Sequence, residues 1–253
     1  MGSRSLTAIA LACVLTAGCG GDDSPPPVSA KELCFTPDSS VIGWQTDLRY
    51  NDNEPTGRHY RSEVRAPVAG DMSTLFPGIT GASDTDPSLR IRASSTYSTA
   101  VPQVGATVIF TLESVKEGRV ITFAEHMRYR IFTRQNTYDP GKTDLRLELV
   151  EGATGGIATQ QYRESTVSNS RLTTANVEQT TKFLGIQSIE TPAGVFSACG
   201  FESTTTNLQV DGPTVVERVV EWIYRGVAVK TDWHASRPAD VLTSGQVNDV
   251  PIK

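Results

Sequence analysis

Beyond residue 31 the chain alternates apolar and polar side chains with period two. Residues 58–68 place Tyr60, Val64, Ala66 and Val68 on one face and His59, Arg61, Glu63 and Arg65 on the other. Residues 89–97 set Leu89, Ile91, Ala93 and Tyr97 against Arg90 and Arg92. Val108, Phe110 and Leu112 share a face in the next run. Ile121, Phe123, Met127, Tyr129 and Ile131 share one in the run after Gly118, and Leu145, Leu147 and Leu149 then oppose Arg146 and Glu148. Successive side chains point to opposite faces of a strand, so each run predicts a strand with one face in the core. Clean alternation belongs to an antiparallel sheet wetted on one side, not to a parallel sheet buried on both.

The breaks between runs agree. Lys116-Glu117-Gly118, residues 151–156, Pro192-Ala193-Gly194 and Asp211-Gly212-Pro213 each separate two strands. Glycine there supplies the positive φ of tight hairpins, and proline presets a corner. These links join sequence neighbours, so the expected fold is all-β. It is a single large, strongly curved antiparallel meander over residues 32–253, a half-barrel or open barrel, with a β-sandwich as the alternative. Gly70–Pro87, rich in Gly, Asp, Pro and Ser, is the longest stretch read as loop. Val216, Val219, Val220 and Ile223 have helical spacing, but the segment is β-branched and follows a turn. It reads as two strands meeting at Gly226. No other segment offers a capped amphipathic helix.

The first residues have a different character. Arg4 precedes about twelve mostly apolar residues, Leu6 to Ala17, which is the layout of an export leader. Twelve is short of the roughly 20 needed to cross a bilayer. Residues 20–30 are Gly, Asp, Ser, Pro and Ala with a lone Val28, too polar to bury a core, and predict a disordered tether. Leu15-Thr16-Ala17-Gly18-Cys19 resembles the lipobox of bacterial lipoproteins. That resemblance implies cleavage after residue 18 and acylation of Cys19, with palmitate-like chains holding the protein on a membrane. Residues 1–18 are then the signal peptide, 19–31 the lipidated tether and 32–253 the β domain. Gly20, where retained lipoproteins carry Asp, implies the outer membrane and leaves the leaflet open.

Composition narrows the functions. Lys and Arg number 23 against 28 Asp and Glu, a net charge of −5, and loss of Arg4 with the leader makes it −6. An acidic domain without a basic run is a poor partner for nucleic acid. Once Cys13 leaves and Cys19 is acylated, Cys34 and Cys199 remain. In an oxidising envelope the simplest reading is one disulfide; two buried thiols or metal ligation are the alternatives.

A second resemblance lies near the C-terminus. Lys182-Phe183-Leu184-Gly185-Ile186, Thr191-Pro192-Ala193-Gly194-Val195-Phe196 and Trp222 to Lys230 are similar to paired hairpins of a broad group of uncharacterised envelope lipoproteins. Related folds include the half-barrels of lipoprotein-localisation carriers, which hold acyl chains on the concave face. The chain differs from those carriers in lacking helices that plug the concavity.

Catalytic signatures are missing. Gly141-Lys142-Thr143 ends like a phosphate loop, but Asn136 stands where the leading glycine belongs. No Gly-x-Ser-x-Gly elbow or His-Glu-x-x-His occurs. Asp84-Thr85-Asp86 and Asn51-Asp52-Asn53-Glu54 lack the glycine and distal glutamate of a calcium loop and read as turns. His59, His126 and His234 fall on polar strand faces, where a solvated ring is expected and a shared zinc site is the alternative. Arg128, Arg130 and Arg134 share a face with His126, able to grip an anion or simply to be solvated. Glu125 falls between Phe123 and Met127 and must be paired there, carry a raised pKa, or be returned to water by a bulge. The expectation is therefore no catalytic residue, no metal, no cofactor and no nucleic acid. The expected function is a non-catalytic, lipid-anchored envelope protein whose curved sheet binds an apolar or amphipathic ligand or a protein partner. A structural component of the envelope is the alternative, and a hydrolase with an unrecognised site comes last.

Overall fold

In the computed structural model the described residues are 29–51, 57–80, 82–98, 106–116, 118–150, 155–209, 214–234 and 238–253. Residues 1–28, which hold the expected signal peptide, Cys19 and nearly all of the expected tether, lie outside them. Thirteen strands run in sequence order, each antiparallel to the next: β1 (Gln45–Asn51), β2 (Arg58–Arg65), β3 (Leu89–Ser98), β4 (Thr107–Lys116), β5 (Arg119–Arg128), β6 (Thr133–Thr143), β7 (Ile157–Ser168), β8 (Arg171–Thr191), β9 (Gly194–Gln209), β10 (Val215–Tyr224), β11 (Val227–Asp232), β12 (Asp240–Val247) and β13 (Val250–Pro251). β1 also pairs with β12, with Thr46 opposite Val247 and Leu48 opposite Gly245, so the meander closes into a twelve-stranded barrel. Closure removes the unpaired strand edges that an open sheet would leave. The pair read from Val215 onward is β10 and β11, joined by Arg225 and Gly226 in positive φ.

The meander fixes two ends. Chain entry, the β2–β3 excursion and the β4–β5, β6–β7, β8–β9 and β10–β11 links lie at one end. The β5–β6 and β7–β8 hairpin tips, the end of β9 and the start of β10 lie at the other. At the entry end α1 (Ala30–Cys34) starts with a Ser29 capping box, in which Ser29 Oγ accepts from Glu32 N while Glu32 accepts from Ser29 N. Leu33 and Cys34 carbonyls accept from Arg225 and Gly226 N–H, pinning α1 to the β10–β11 turn. Cys34 and Cys199 are disulfide-bonded, with Cα atoms 5.6 Å apart across a separation of 165 residues. Around them Phe35, Phe183, Phe201, Ile223, Leu149 and Val150 form a buried cluster, with Phe201 ring centroids 5.9 Å from Phe35 and 5.3 Å from Phe183. Each fully buried aromatic stabilises the fold by about 2–3 kcal/mol.

Four expectations are corrected. Ser29–Cys34 is a capped helix the alternation did not reveal. Residues 145–149 are not a strand: α3 (Arg146–Leu149) lies against β7 and β8 and turns Leu149 into the Cys34 cluster, so its apolar residues pack over the sheet without joining it. Gly70–Pro87 is not a plain loop, since α2 (Asp71–Leu75) and Phe76 pack over Leu89, Ile91, Leu112 and Ala124. β2 ends at Arg65, so Val68 is 59% exposed, and Ile131, read as core-facing, is 86% exposed on the β5–β6 tip.

Candidate binding lumen

Two register shifts decide what faces the inside. β4 slips against β5 between Leu112 and Glu113, and β5 slips against β6 between Thr122 and Ala124. Such bulges re-aim side chains. Phe123 and Ala124 are sent to the α2 cluster, while Glu125 falls opposite Thr111 and Asn136. The register then builds a polar row around the barrel, in which Arg92 faces Thr111, Glu113 faces Thr122, Thr122 faces Lys142, Gln179 faces Thr205 and Ser203 faces Val219.

These residues line one cavity of about 550 Å3, reaching from Phe35 and Trp44 to Glu217 and Trp233. Its wall carries three charged groupings. Arg92 grips Glu113 through Nε at 3.0 Å and Nη2 at 3.3 Å, and Nη2 also donates to the Ser39 carbonyl. Arg146 lies between two acids: Nε and Nη2 donate to Asp144 at 2.9 and 2.8 Å, and Nη1 to Glu221 at 3.0 Å. Tyr138 donates to Glu125 at 2.9 Å, and Lys142 Nζ stands 5.7 Å from the Tyr138 ring centre. Gln160 ties the wall together, donating to the Thr143 carbonyl and to Gln179 and accepting from Thr143 N–H.

The lumen shifts the titration of its own groups. Burial opposes the Arg146 charge, but Asp144 and Glu221 outweigh it and hold the guanidinium above its ordinary value. Burial opposes the Asp144 charge too, and Arg146 reverses the effect, leaving that pKa lowered. Burial, then Glu125 and Glu164, raises Tyr138, which stays a neutral hydrogen-bond donor. Burial raises Glu164 against the pull of Arg134 and Lys142.

Toward the hairpin tips a second cavity of about 310 Å3 is lined by Phe132, Arg134, Glu164, Thr166 and Asn207 among others. The row of Asn136, Tyr138, Tyr162 and Val177 stands between the two in register, with the two tyrosine rings edge to face at 5.5 Å. A third groove, about 520 Å3, crosses β1–β4, and its Asp47 is already engaged by Arg61 at 2.8 Å and by His59.

The predicted site residues disperse. Cys34 and Cys199 come together. His59 is not solvated: it is 3% exposed, paired with Asp47 and set 4.6 Å from the Tyr97 ring, because β1 supplies a carboxylate that parity cannot reveal. His126 is half-buried, and burial together with Arg128 lowers its pKa. His234 is exposed beside Arg218. The arginine row splits: Arg128 lies over the Phe110 ring at 5.2 Å, Arg130 sits on the tip, and Arg134 turns inward to Asn136 and Glu164. Glu125 is half-buried and paired with Tyr138 through the bulge. Asp84 accepts from Gly70 and Met72 N–H and closes the α2 excursion, while Asp52, Asn53 and Glu54 lie outside the described residues. Gly141–Thr143 is the end of β6, not a phosphate loop. Among the described residues no group of three His, Cys, Asp or Glu side chains is placed to hold a metal, and no helix is long and apolar enough to cross a membrane.

The lumen groupings were missed as sites because their members are far apart in sequence. Arg92 and Arg146 show in the alternation only as polar positions. Glu113 and Glu221 become their partners once the register and the bulges are known.

No family model matches the chain, and no curated protein matches it in sequence. Among solved structures, a Bacteroides fragilis NCTC 9343 protein assigned as exported and described as having a YmcC-like fold aligns with 12% identity and a TM-score of 0.46. The alignment covers 85% of this chain and 99% of that one. So distant a likeness carries no functional argument, and the barrel rests on its own strand pairing.

Proposed function

We propose that this chain is a lipid-anchored protein of the bacterial cell envelope, most simply of the outer membrane, whose barrel holds a polar or amphipathic ligand in its lumen without reacting with it. The observation that carries the reading is the cavity of about 550 Å3 walled by Arg92–Glu113, Asp144–Arg146–Glu221 and Glu125, itself hydrogen-bonded to Tyr138. A volume of this size suits a small molecule. Its lining narrows the choice. An entirely apolar ligand would strip water from several charges and return no hydrogen bonds, at a cost of several kcal/mol. Hydroxyl or ammonium groups fit an acid-rich wall better, and any apolar part would lie toward Phe35 and Trp44. Envelope residence is supported by the export-type leader, the lipobox-like run ending at Cys19 and the Cys34–Cys199 disulfide, since such bonds persist in oxidising compartments.

Native mass spectrometry of the protein released from its host membrane tests this. A discrete adduct of small-molecule mass is expected. A protein that emerges bare under gentle desolvation, yet tightly bound to another chain, would favour a scaffold instead.

A further inference from the structure

The barrel end opposite chain entry carries an apolar rim. Three hairpin tips stand side by side there: 128–133 between β5 and β6, 167–172 between β7 and β8, and the ends of β9 and β10. Ile131 is 86% exposed, Leu172 64%, Val216 62% and Leu208 50%. Val167 lies directly opposite Leu172 in register and is also exposed, so the β7–β8 tip ends in an aliphatic pair. None of these side chains contributes to the four buried clusters.

Charge separates the rim from the rest of the molecule. The chain is acidic, at −5, yet Arg128, Arg130 and Arg171 are exposed on these tips. Among the described residues 128–133, 167–172, 207–208 and 214–216 there is no Asp or Glu. Asp211 lies outside the described residues. Aliphatic side chains ringed by arginines on an acidic protein complement a surface that is apolar inside and anionic outside.

We propose that this rim is a contact surface for an anionic phospholipid bilayer. Ile131, Leu172, Leu208 and Val216 enter the interface between headgroups and acyl chains, and the arginines meet lipid phosphates. The contact is independent of the luminal ligand and of acylation at Cys19.

The test is co-sedimentation of the full chain carrying Cys19→Ser with vesicles of phosphatidylglycerol and phosphatidylcholine, or of phosphatidylcholine alone. Binding to the anionic vesicles is expected, falling with added salt and several-fold weaker on the neutral ones. Removing each of Arg130 and Arg171 should weaken it about fivefold. Ile131→Asp with Leu172→Asp should abolish it, while Ile157→Asp, at the other end of β7 and 62% exposed, should leave it unchanged. All these sites are exposed, so the variants keep the fold. No sedimentation with anionic vesicles, or equal sedimentation of the Ile131→Asp and Leu172→Asp variant, overturns the proposal. So does a rim that ignores vesicles but crosslinks to an envelope protein.

Discussion

Single side chains decide how the ends of the barrel are closed. Arg65 donates to Asp71 at 3.1 Å through Nη2 and more closely through Nη1, and Asp71 also accepts from Val68 N–H, tying the start of α2 to the end of β2. The Arg65 hydrogen bond, opposed by burial and helped by the Val68 N–H, holds the Asp71 pKa below its ordinary 3.8. A depressed carboxyl pKa stabilises the fold above the unfolded value and loses that contribution as pH falls toward the folded one. Asp71→Asn is therefore expected to cost about 1.5–3 kcal/mol at pH 7 in denaturant titration. The gap from wild type should narrow below pH 4. The disulfide acts on a larger loop. Reducing Cys34–Cys199 releases a closure of 165 residues, for which chain entropy gives at most about 5 kcal/mol. The expected result is a marked fall in Tm on reduction, matched by Cys34→Ser. The pairing of two cysteines was legible in sequence. The burial of His59 was not, since its partner Asp47 sits on a neighbouring strand and strand parity says nothing of what lies across the ladder.

At the scale of elements, alternation identified the strands and their antiparallel order, because each strand exposes one face and the period survives in the sequence. It failed wherever a segment packs on the sheet without joining it, or where a bulge breaks the period. Residues 145–149 alternate as a strand would, yet α3 lies on β7 and β8 and sends Leu149 into the cluster around the disulfide. Phe123 and Glu125 have the same parity, and the bulge at Thr122–Ala124 sends them to opposite sides. Closure was likewise invisible, because β1 and β12 are separated by nearly the whole domain. The seam is tight. A Cβ on Gly245 would come within 2.7 Å of Leu48 Cδ2 and 3.3 Å of the Asp47 carbonyl oxygen. Gly245→Val is expected to lose about 1–3 kcal/mol by overpacking. Hydrogen exchange should then quicken first in β1 and β12, whereas uniform protection across the barrel would argue that the seam has no separate weakness.

Over the described residues the molecule is a barrel with a charged lumen, entered through α1 at one end and closed by an apolar, arginine-bearing rim at the other. The proposed anchor rests on Leu15 to Cys19 alone, since a lipobox-like run depends only on local sequence. Fatty acid supplied to cells should label the wild type and not Cys19→Ala. The lumen was unreadable, because it needs side chains from eight strands to meet across the register. It is also the centre of this account, and one measurement tests it most directly. Thr205 lines the cavity beside Gln179 and Glu217, while its neighbour Thr204 faces the other way, opposite Thr180 and Arg218. Thr205→Trp therefore fills the lumen, and Thr204→Trp does not. In native mass spectra of the proteins released from the host membrane, the wild type and Thr204→Trp should carry the same small-molecule adduct and Thr205→Trp should be bare. An adduct retained in full by Thr205→Trp would place the ligand elsewhere and contradict the lumen as the binding site.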